Sequence, residues 1–325
     1  MRQLGGNQWH GDSSIAWGIG IEASLRTPLD TDDVRDRLDA LLTRHRHLAP
    51  AYVVEGEPSF AELLSRPFEQ ERLRVQVKDH RVRVVGHHTA VDGLGLLTIL
   101  GDLTGKRVES GALGLGRRPT RPFVRTALGR LKEAAFAPPA VIAPVGRTRV
   151  VDDALAVIEV PGSVRAADLV VAAAAAILAR QPEARRIAVA VGASKRPGPG
   201  AWPTDESAYL RLRNAERLDV EAVGRALRSQ PAEPSGEVAG SGFAARVSAL
   251  LSRRLGSTIL VSHLGEVSGD ALDGVAFYPV TGGRSGVSLG AVGAGGSTSL
   301  TMRARGGEHS GTDLADLLDE VRSRI

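Results

Sequence analysis

The chain has 325 residues, 42% hydrophobic and 24% charged, which is the composition of a soluble globular protein with room for two domains. Its net charge of +4 comes from 41 Lys and Arg against 37 Asp and Glu, with no dense basic run interleaved with aromatics, which argues against nucleic-acid binding. The absence of cysteine excludes disulfides, thiolate nucleophiles and Cys-ligated zinc.

The N-terminal segment and the apolar runs of the sequence argue against secretion and membrane insertion. The N-terminus is polar and Gly-rich, without an apolar signal core. The longest apolar run, Leu169 to Ala179, is far shorter than the ~20 residues that a membrane span needs. We therefore expect a cytoplasmic protein without a membrane span. The excess of arginine over lysine, with abundant Ala and Gly, is typical of a GC-rich bacterial genome.

The first half of the chain predicts a strand, a helix, a hairpin and a second helix. Apolar residues at helical spacing predict the first helix, with the basic segment 44–47 in its last turn. Alternating residues from Glu71 to His88 predict a hairpin that turns at Asp79-His80. The predicted elements are a strand over 14–25, a helix over 32–48, the hairpin over 71–88 and a buried helix over 94–105.

The second half predicts an α+β arrangement of similar size. A helix is expected near 123–135, followed by Pro-rich segments that favour a domain boundary near residue 145. Ser163 is a candidate cap of the Ala-rich helix. Strands are predicted over 154–160, 187–191, 207–212, 258–262, 275–280, 287–291 and 297–304, and helices after 163 and over 220–227, 242–255 and 314–325. Two α/β (α+β) domains, 1–145 and 146–325, are the simplest organisation.

The most informative motif is His87-His88-Thr89-Ala90-Val91-Asp92-Gly93, with a predicted strand before it and a helix after it. At this chain's composition, a chance match to the two histidines, the aspartate and the glycine has a probability on the order of 0.001. A neutral imidazole has the right pKa to remove a proton from an attacking group near pH 7. The motif therefore predicts a histidine base at the end of a strand.

This segment resembles the HHxxxDG motif of the superfamily that contains chloramphenicol acetyltransferase, condensation domains of nonribosomal peptide synthetases, and polyketide-associated acyltransferases. The resemblance covers most of the chain. Weaker similar elements follow in the expected order: the Arg-His segment 44–48, the helix end at 102–105, the strand and turn over 189–196, and Ser262-His263-Leu264-Gly265. Many members, which include plant acyltransferases, carry an Asp-Phe-Gly-Trp-Gly element, where this chain has only residues 280–286. This difference argues against the plant acyltransferases.

The resemblance implies two chloramphenicol acetyltransferase-like lobes arranged as a V with an active-site tunnel between them. His88 would be the general base at the centre of that tunnel. Asp92 would pair with an arginine, for which Arg196 is the best match by position, and would shape the site rather than transfer protons. Ser262 and His263 would line the tunnel.

Each of these residues also has a simpler structural interpretation. His87 points to the opposite face of a strand from His88, which favours packing. Asp92 is well placed as a helix N-cap, and Gly93 either makes room for substrate or permits the turn. Ser262 and His263 could belong to an ordinary strand end. A zinc site is disfavoured, because the histidines lie on a strand and no third ligand has a motif.

The resulting hypothesis is a stand-alone acyltransferase. The donor would be an acyl-CoA or the phosphopantetheine thioester of an acyl carrier protein, and the acceptor a hydroxyl or amine on a small natural product or lipid; no cofactor is expected. Without cysteine or a Gly-x-Ser-x-Gly elbow, direct transfer is simpler than an acyl-enzyme. Backbone N–H groups after Asp92, including that of Gly93, are candidate oxyanion donors. The alternatives are amide formation between carrier proteins, a non-catalytic module and a cyclising enzyme.

Overall fold

The computed structural model describes residues 17–112, 114, 133, 136–144, 150–196, 202–233, 256–281 and 285–325. In these ranges the strands are β1 Gly18–Leu25, β2 Ala51–Val53, β3 Leu73–Lys78, β4 Arg81–His87, β5 Glu109–Ser110, β6 Ala154–Pro161, β7 Val189–Ser194, β8 Ser207–Leu212, β9 Ile259–Ser268, β10 Leu272–Tyr278, β11 Val287–Ala294 and β12 Ser297–Ala304. The α-helices are α1 Thr31–Arg44, α2 Phe60–Ser65, α3 Gly93–Thr104, α4 Ala166–Arg180, α5 Val220–Ser229 and α6 Gly311–Arg322.

The strands form two mixed sheets. The first has the order β10-β1-β4-β3-β2, in which only the β2–β3 pair is parallel. The second has the order β6-β12-β11-β9-β7-β8, with parallel pairs β11–β9 and β9–β7. The mixed two-lobed α/β architecture expected from the sequence is confirmed.

Two strands connect the halves of the chain. β10 comes from the second half of the chain but forms the edge of the first sheet, where it pairs antiparallel with β1. β5 comes from the first half and pairs with the end of β9 in the second sheet. The division into 1–145 and 146–325 stays a prediction, because its boundary falls at the start of 145–149, outside the described residues. Because β10 and β5 each join the sheet of the other half, neither half contains a complete sheet of its own.

Most of the elements expected from periodicity are present, including the hairpin with its turn at Asp79-His80 and the buried helix α3. Gly105, with a φ of 65°, ends α3 in the left-handed conformation that glycine adopts without strain. The predicted helices over 123–135 and 242–255 lie outside the described residues, apart from Glu133. The short elements β2, α2 and β5 had no sequence signal strong enough to predict them.

Three predicted boundaries were wrong for local reasons. The helix α1 ends at Arg44, and 46–48 form a separate 3-10 turn that buries Leu48 ahead of Pro50. Ser163 does not cap α4: its hydroxyl donates to Glu266, and α4 begins after Arg165. The strand β7 begins at Val189, because the N–H of Ile187 donates to the carboxylate of Glu216 instead of joining the sheet.

A buried arginine on β12 links the two sheets. Arg303 is 1% exposed, and its guanidinium donates to Asp153 at 2.7 Å. It also donates to the carbonyl oxygens of Gly18 on β1 at 2.6 Å, Pro279 at 3.1 Å and Leu64 in α2 at 3.1 Å. The guanidinium therefore binds one carboxylate and three backbone carbonyls from separate parts of the chain.

We predict that Arg303→Met lowers the free energy of unfolding by about 3–5 kcal/mol, because it leaves the Asp153 carboxylate buried without its counter-charge. Urea denaturation measures the change. Arg26→Met is the control, since the Arg26–Asp273 pair has side chains that are 64% and 60% exposed and should cost less than about 1 kcal/mol. Equal losses in the two variants would contradict the assignment.

Candidate functional site

The motif residues form a tight connection between β4 and α3. The strand ends at His87, residues 88–90 make a turn, and the helix begins at Gly93. Gly86 permits this turn, because a Cβ there would lie 2.4 Å from the Val91 side chain, which folds back onto the strand. The backbone N–H of His88 donates to the carbonyl of Trp17 at 2.9 Å, which fixes the start of the turn.

His88 is partly buried. Its side chain is 19% exposed, so a small molecule can reach part of the imidazole. Its Nδ1 lies 3.9 Å from Oδ1 of Asp205, a residue that the sequence analysis did not single out. That separation is within ion-pair range but beyond a hydrogen bond. The candidate base therefore has a buried carboxylate as a close neighbour.

His87 has a different environment from His88. Its Nδ1 lies 2.6 Å from Oγ1 of Thr89 and accepts the N–H of Thr89 at 3.2 Å. Its ring meets that of Phe68 edge to face, with centroids 5.1 Å apart. These contacts hold the turn together and support packing as the role of His87.

Asp92 is the N-cap of α3 and also a bridge to the second half of the chain. Its Oδ1 accepts the N–H of Gly95 at 2.7 Å and a guanidinium N–H of Arg196 at 2.9 Å. Its Oδ2 accepts the N–H of Glu206 at 3.0 Å. Both side chains of the ion pair are less than 10% exposed. The contact expected between Asp92 and Arg196 is present in the structure.

Burial raises the pKa of the Asp92 carboxyl, and the nearby charge of Asp205 acts in the same direction. The Arg196 guanidinium and the N–H groups of Gly95 and Glu206 counteract that rise. Asp92 accepts all of these hydrogen bonds, so both of its carboxylate oxygens are bound to protein groups. The geometry therefore supports a structural role for Asp92 rather than proton transfer.

The segment Trp202–Ser207, called here the site loop, lies against the motif. Arg196 donates to the carbonyl oxygens of Trp202 and Thr204 in this loop, each at 3.0 Å. The N–H of Asp92 donates to the same Thr204 carbonyl at 3.3 Å. The Asp92–Arg196 pair therefore fixes the site loop, and the loop in turn carries Asp205 to His88.

The site loop also contacts the end of the first helix. His47 lies with Nε2 2.8 Å from the carbonyl oxygen of Pro203. The rings of His45 and Trp202 meet edge to face at 5.5 Å, and Trp202 is 69% exposed. The Arg-His segment 44–48 therefore has a structural explanation, because His45 and His47 contact the site loop from the other half of the chain.

Gly93 makes room for protein side chains. A Cβ at this position would lie 2.7 Å from Cδ2 of Leu264 and 3.0 Å from Cζ of Phe277. Leu264 comes from β9 and Phe277 from β10, so α3 packs directly on strands from the second half of the chain. Of the helix N–H groups considered as oxyanion donors, that of Gly95 is bound by the Asp92 cap.

Ser262 and His263 take part in the internal structure of the second sheet. A Cβ on Gly192 would lie 2.7 Å from the Ser262 hydroxyl, so the two strands approach closely there. His263 Nε2 lies 2.8 Å from the carbonyl of Val164, and its Nδ1 accepts the N–H of Gly265 at 2.7 Å. Burial lowers the pKa of His263, which keeps its imidazole neutral near pH 7. A tunnel-lining role for these two residues stays a prediction.

Metal-ligating groups and a surface cavity are two further features of the described ranges that bear on possible binding sites. They contain no group of three or more His, Cys, Asp or Glu side chains arranged to hold a metal ion. A surface cavity of about 390 Å³ lies at the far end of the β3–β4 hairpin. Its side chains pair with one another and with the chain, as in the Lys78–Glu57 ion pair at 2.6 Å and the Arg83–Gln76 hydrogen bond at 3.0 Å.

Solved structures with this architecture include condensation domains and the epimerization domain from the third module of tyrocidine synthetase B. The first condensation domain of the calcium-dependent antibiotic synthetase, with a substrate analogue, is 17% identical, with a TM-score of 0.57 over 96% of this chain and 91% of that chain. The condensation domain of the Monacolin K polyketide synthase MokA is 12% identical, with a TM-score of 0.56 over 98% and 94%. A mutant starter condensation domain of rhizomide synthetase in complex with C8-CoA is 13% identical, with a TM-score of 0.54 over 98% and 90%.

The chain therefore has the two-lobed condensation-domain fold, as the motif resemblance implied. No protein-family model matches the sequence, and no curated protein matches it. Among the helices of the described residues, none combines the length and the apolar character needed to cross a bilayer.

We predict that Asp92→Ala lowers the free energy of unfolding by about 3–5 kcal/mol, because Arg196 would remain buried without its carboxylate. Thermal and urea denaturation measure the loss. Asp219→Ala is the matched control, since exposed Asp219 caps α5 through the N–H of Ala222 at 2.7 Å without a buried ion pair, and should cost about 1 kcal/mol. An Asp92→Ala variant no less stable than the control would contradict the bridging role.

We also predict that Gly93→Ala lowers the free energy of unfolding by about 1–3 kcal/mol through overpacking against Leu264 and Phe277. Gly274→Ala, in β10, is the control, because its Cβ would meet no atom within 4 Å. It should change stability by less than about 0.5 kcal/mol. Differential scanning fluorimetry followed by urea titration compares the two, and an unchanged melting curve for Gly93→Ala would contradict the packing assignment.

Proposed function

We propose that this chain transfers an acyl group from a thioester donor to a hydroxyl or amine acceptor, with His88 as general base. The observation that carries this proposal is the position of a partly exposed imidazole at the strand end of a condensation-domain fold. The buried Asp92–Arg196 pair holds the turn and the site loop around it. No proton donor or acceptor other than the imidazole needs to be invoked for the transfer.

The reaction needs one proton relay. His88 accepts the proton of the acceptor O–H or N–H while the oxygen or nitrogen forms a bond to the thioester carbonyl carbon. The tetrahedral intermediate then collapses with cleavage of the C–S bond, and the imidazolium returns the proton to the departing sulfur. The products are an ester or amide and a free thiol. Such a base contributes about 10²–10⁴-fold, and juxtaposing the two substrates supplies further acceleration.

The donor is an acyl-CoA or an acyl group on the phosphopantetheine of a carrier protein. An acyl-CoA is supported by the similarity to a starter condensation domain that binds C8-CoA. A second candidate function, amide formation between two carrier-bound substrates, is favoured by the similarity to condensation domains of peptide and polyketide synthetases. The two candidates share the chemistry of His88 and differ in what delivers the substrates.

The proposal can be tested by measuring thiol release. Octanoyl-CoA is supplied with a panel of small amines and alcohols, and in parallel an octanoyl-loaded carrier protein replaces the CoA thioester. Because the chain has no cysteine, it gives no signal of its own with a thiol reagent, which detects the thiol freed on CoA or on the carrier protein's phosphopantetheine. Mass spectrometry identifies the acylated acceptor. Turnover only when the acceptor amine is also supplied on a carrier protein would favour the second candidate.

We predict that His88→Ala folds normally and lowers turnover of octanoyl-CoA by about 100-fold or more, because the acceptor loses its base. The rate of thiol release with saturating acceptor measures the effect, and the melting temperature serves as the folding check. His80→Ala is the control, since His80 lies at the opposite end of the same hairpin and contacts the carbonyl of Leu25.

Three outcomes would overturn the proposal. Full activity of His88→Ala on an accepted substrate would remove the base from the mechanism. Failure of the wild-type protein to turn over any thioester, with a partner protein co-purifying, would favour a non-catalytic module. Conversion of a single substrate without thiol release would instead indicate a cyclising reaction.

A further inference from the structure

We propose that Asp205 is a positioning residue for His88 that stabilises the imidazolium formed during the transfer. This inference rests on the proposed function, because it assigns a role to Asp205 only if His88 accepts the proton. Asp205 belongs to the site loop and lies far from the motif in sequence.

The geometry brings the charge of Asp205 to one specific atom. Its Oδ1 lies 3.9 Å from Nδ1 of His88, and its side chain is 5% exposed whereas that of His88 is 19% exposed. A buried carboxylate interacts with a neighbouring cation through a medium that screens much less than water. An exposed surface pair at the same distance would contribute little.

The carboxylate is held in place by its own loop. Oδ1 of Asp205 accepts the backbone N–H of Ser207 at 3.0 Å and also accepts the Ser207 hydroxyl. The loop is fixed in turn by Arg196, which donates to the carbonyl oxygens of Trp202 and Thr204. The negative charge therefore has a defined position before any substrate arrives, which is the arrangement that electrostatic stabilisation of a transition state requires.

The effect of this charge is largest when the imidazole is protonated. A carboxylate beside Nδ1 favours the tautomer with its proton on Nδ1, which directs the Nε2 lone pair toward the acceptor. When Nε2 takes the proton of the acceptor, the new positive charge lies next to Asp205. The attraction is therefore stronger in the transition state than in the resting enzyme, and it should act on kcat more than on KM.

The other charged groups around Asp205 do not cancel this effect. Asp92 and Arg196 form a buried ion pair at 2.9 Å and largely neutralise each other. His87 lies next to His88 in sequence, but its Nδ1 is bound to Thr89. Of these groups, Asp205 is the one whose nearly buried carboxylate lies within ion-pair distance of the candidate base.

The test is Asp205→Asn, which preserves the shape of the side chain and an oxygen able to accept from Ser207, but removes the charge. We expect the variant to fold and to retain its KM for octanoyl-CoA, while kcat falls by about 10- to 100-fold, because the imidazolium loses the charge that stabilises it in the transition state. A purely structural role would instead lower the melting temperature or raise KM.

Two comparisons separate this inference from the proposed function. In a His88→Ala background, Asp205→Asn should have no additional effect on turnover, because its partner is gone. Asp270→Asn, an identical change at an exposed aspartate, should leave kcat and KM unchanged. If His88→Ala is inactive but Asp205→Asn has wild-type kcat, the role of Asp205 is refuted and the base remains. If His88→Ala is fully active, both are refuted.

Discussion

The buried ion pair between Asp92 and Arg196 is the contact on which the candidate site depends. The two residues are 104 positions apart in the chain, and each also binds backbone groups of the site loop. Asp92 starts α3 and so fixes the turn that presents His88. Arg196 holds the site loop and so fixes Asp205. A single carboxylate–guanidinium contact thereby sets both the position of an imidazole and the charge beside it, which explains why the pair is shielded from water.

The parts of this protein that were predictable from sequence are those set by local physics. Alternation between Glu71 and His88 gave the hairpin and its turn, and the apolar run after Gly93 gave a buried helix. The motif resemblance implied the condensation-domain fold, which the solved structures share at 12–17% identity. The contact between Asp92 and Arg196 could be anticipated only through that resemblance, because nothing local distinguishes Arg196 from the many other arginines of this chain.

The remaining features depend on contacts between distant segments, which a single sequence does not encode in any local pattern. Asp205 lies in a loop whose composition resembles many turns, and its approach to His88 exists only once the halves have met. The space occupied at Gly93 is defined by Leu264 and Phe277, from strands near the other end of the chain. Serine is a residue type that often caps helices. The Ser163 hydroxyl instead donates to Glu266, so a tertiary contact overrides the local preference.

The placement of β10 in the first sheet has a consequence for how the molecule is made. Until residue 278 has left the ribosome, one side of β1 has no neighbour, and its backbone N–H and C=O groups form an open edge able to pair with other chains. The N-terminal half, expressed alone, would keep that edge permanently. The two halves are thus parts of one cooperative folding unit, and exchanging one of them between related proteins would require moving β10 together with the half that it completes.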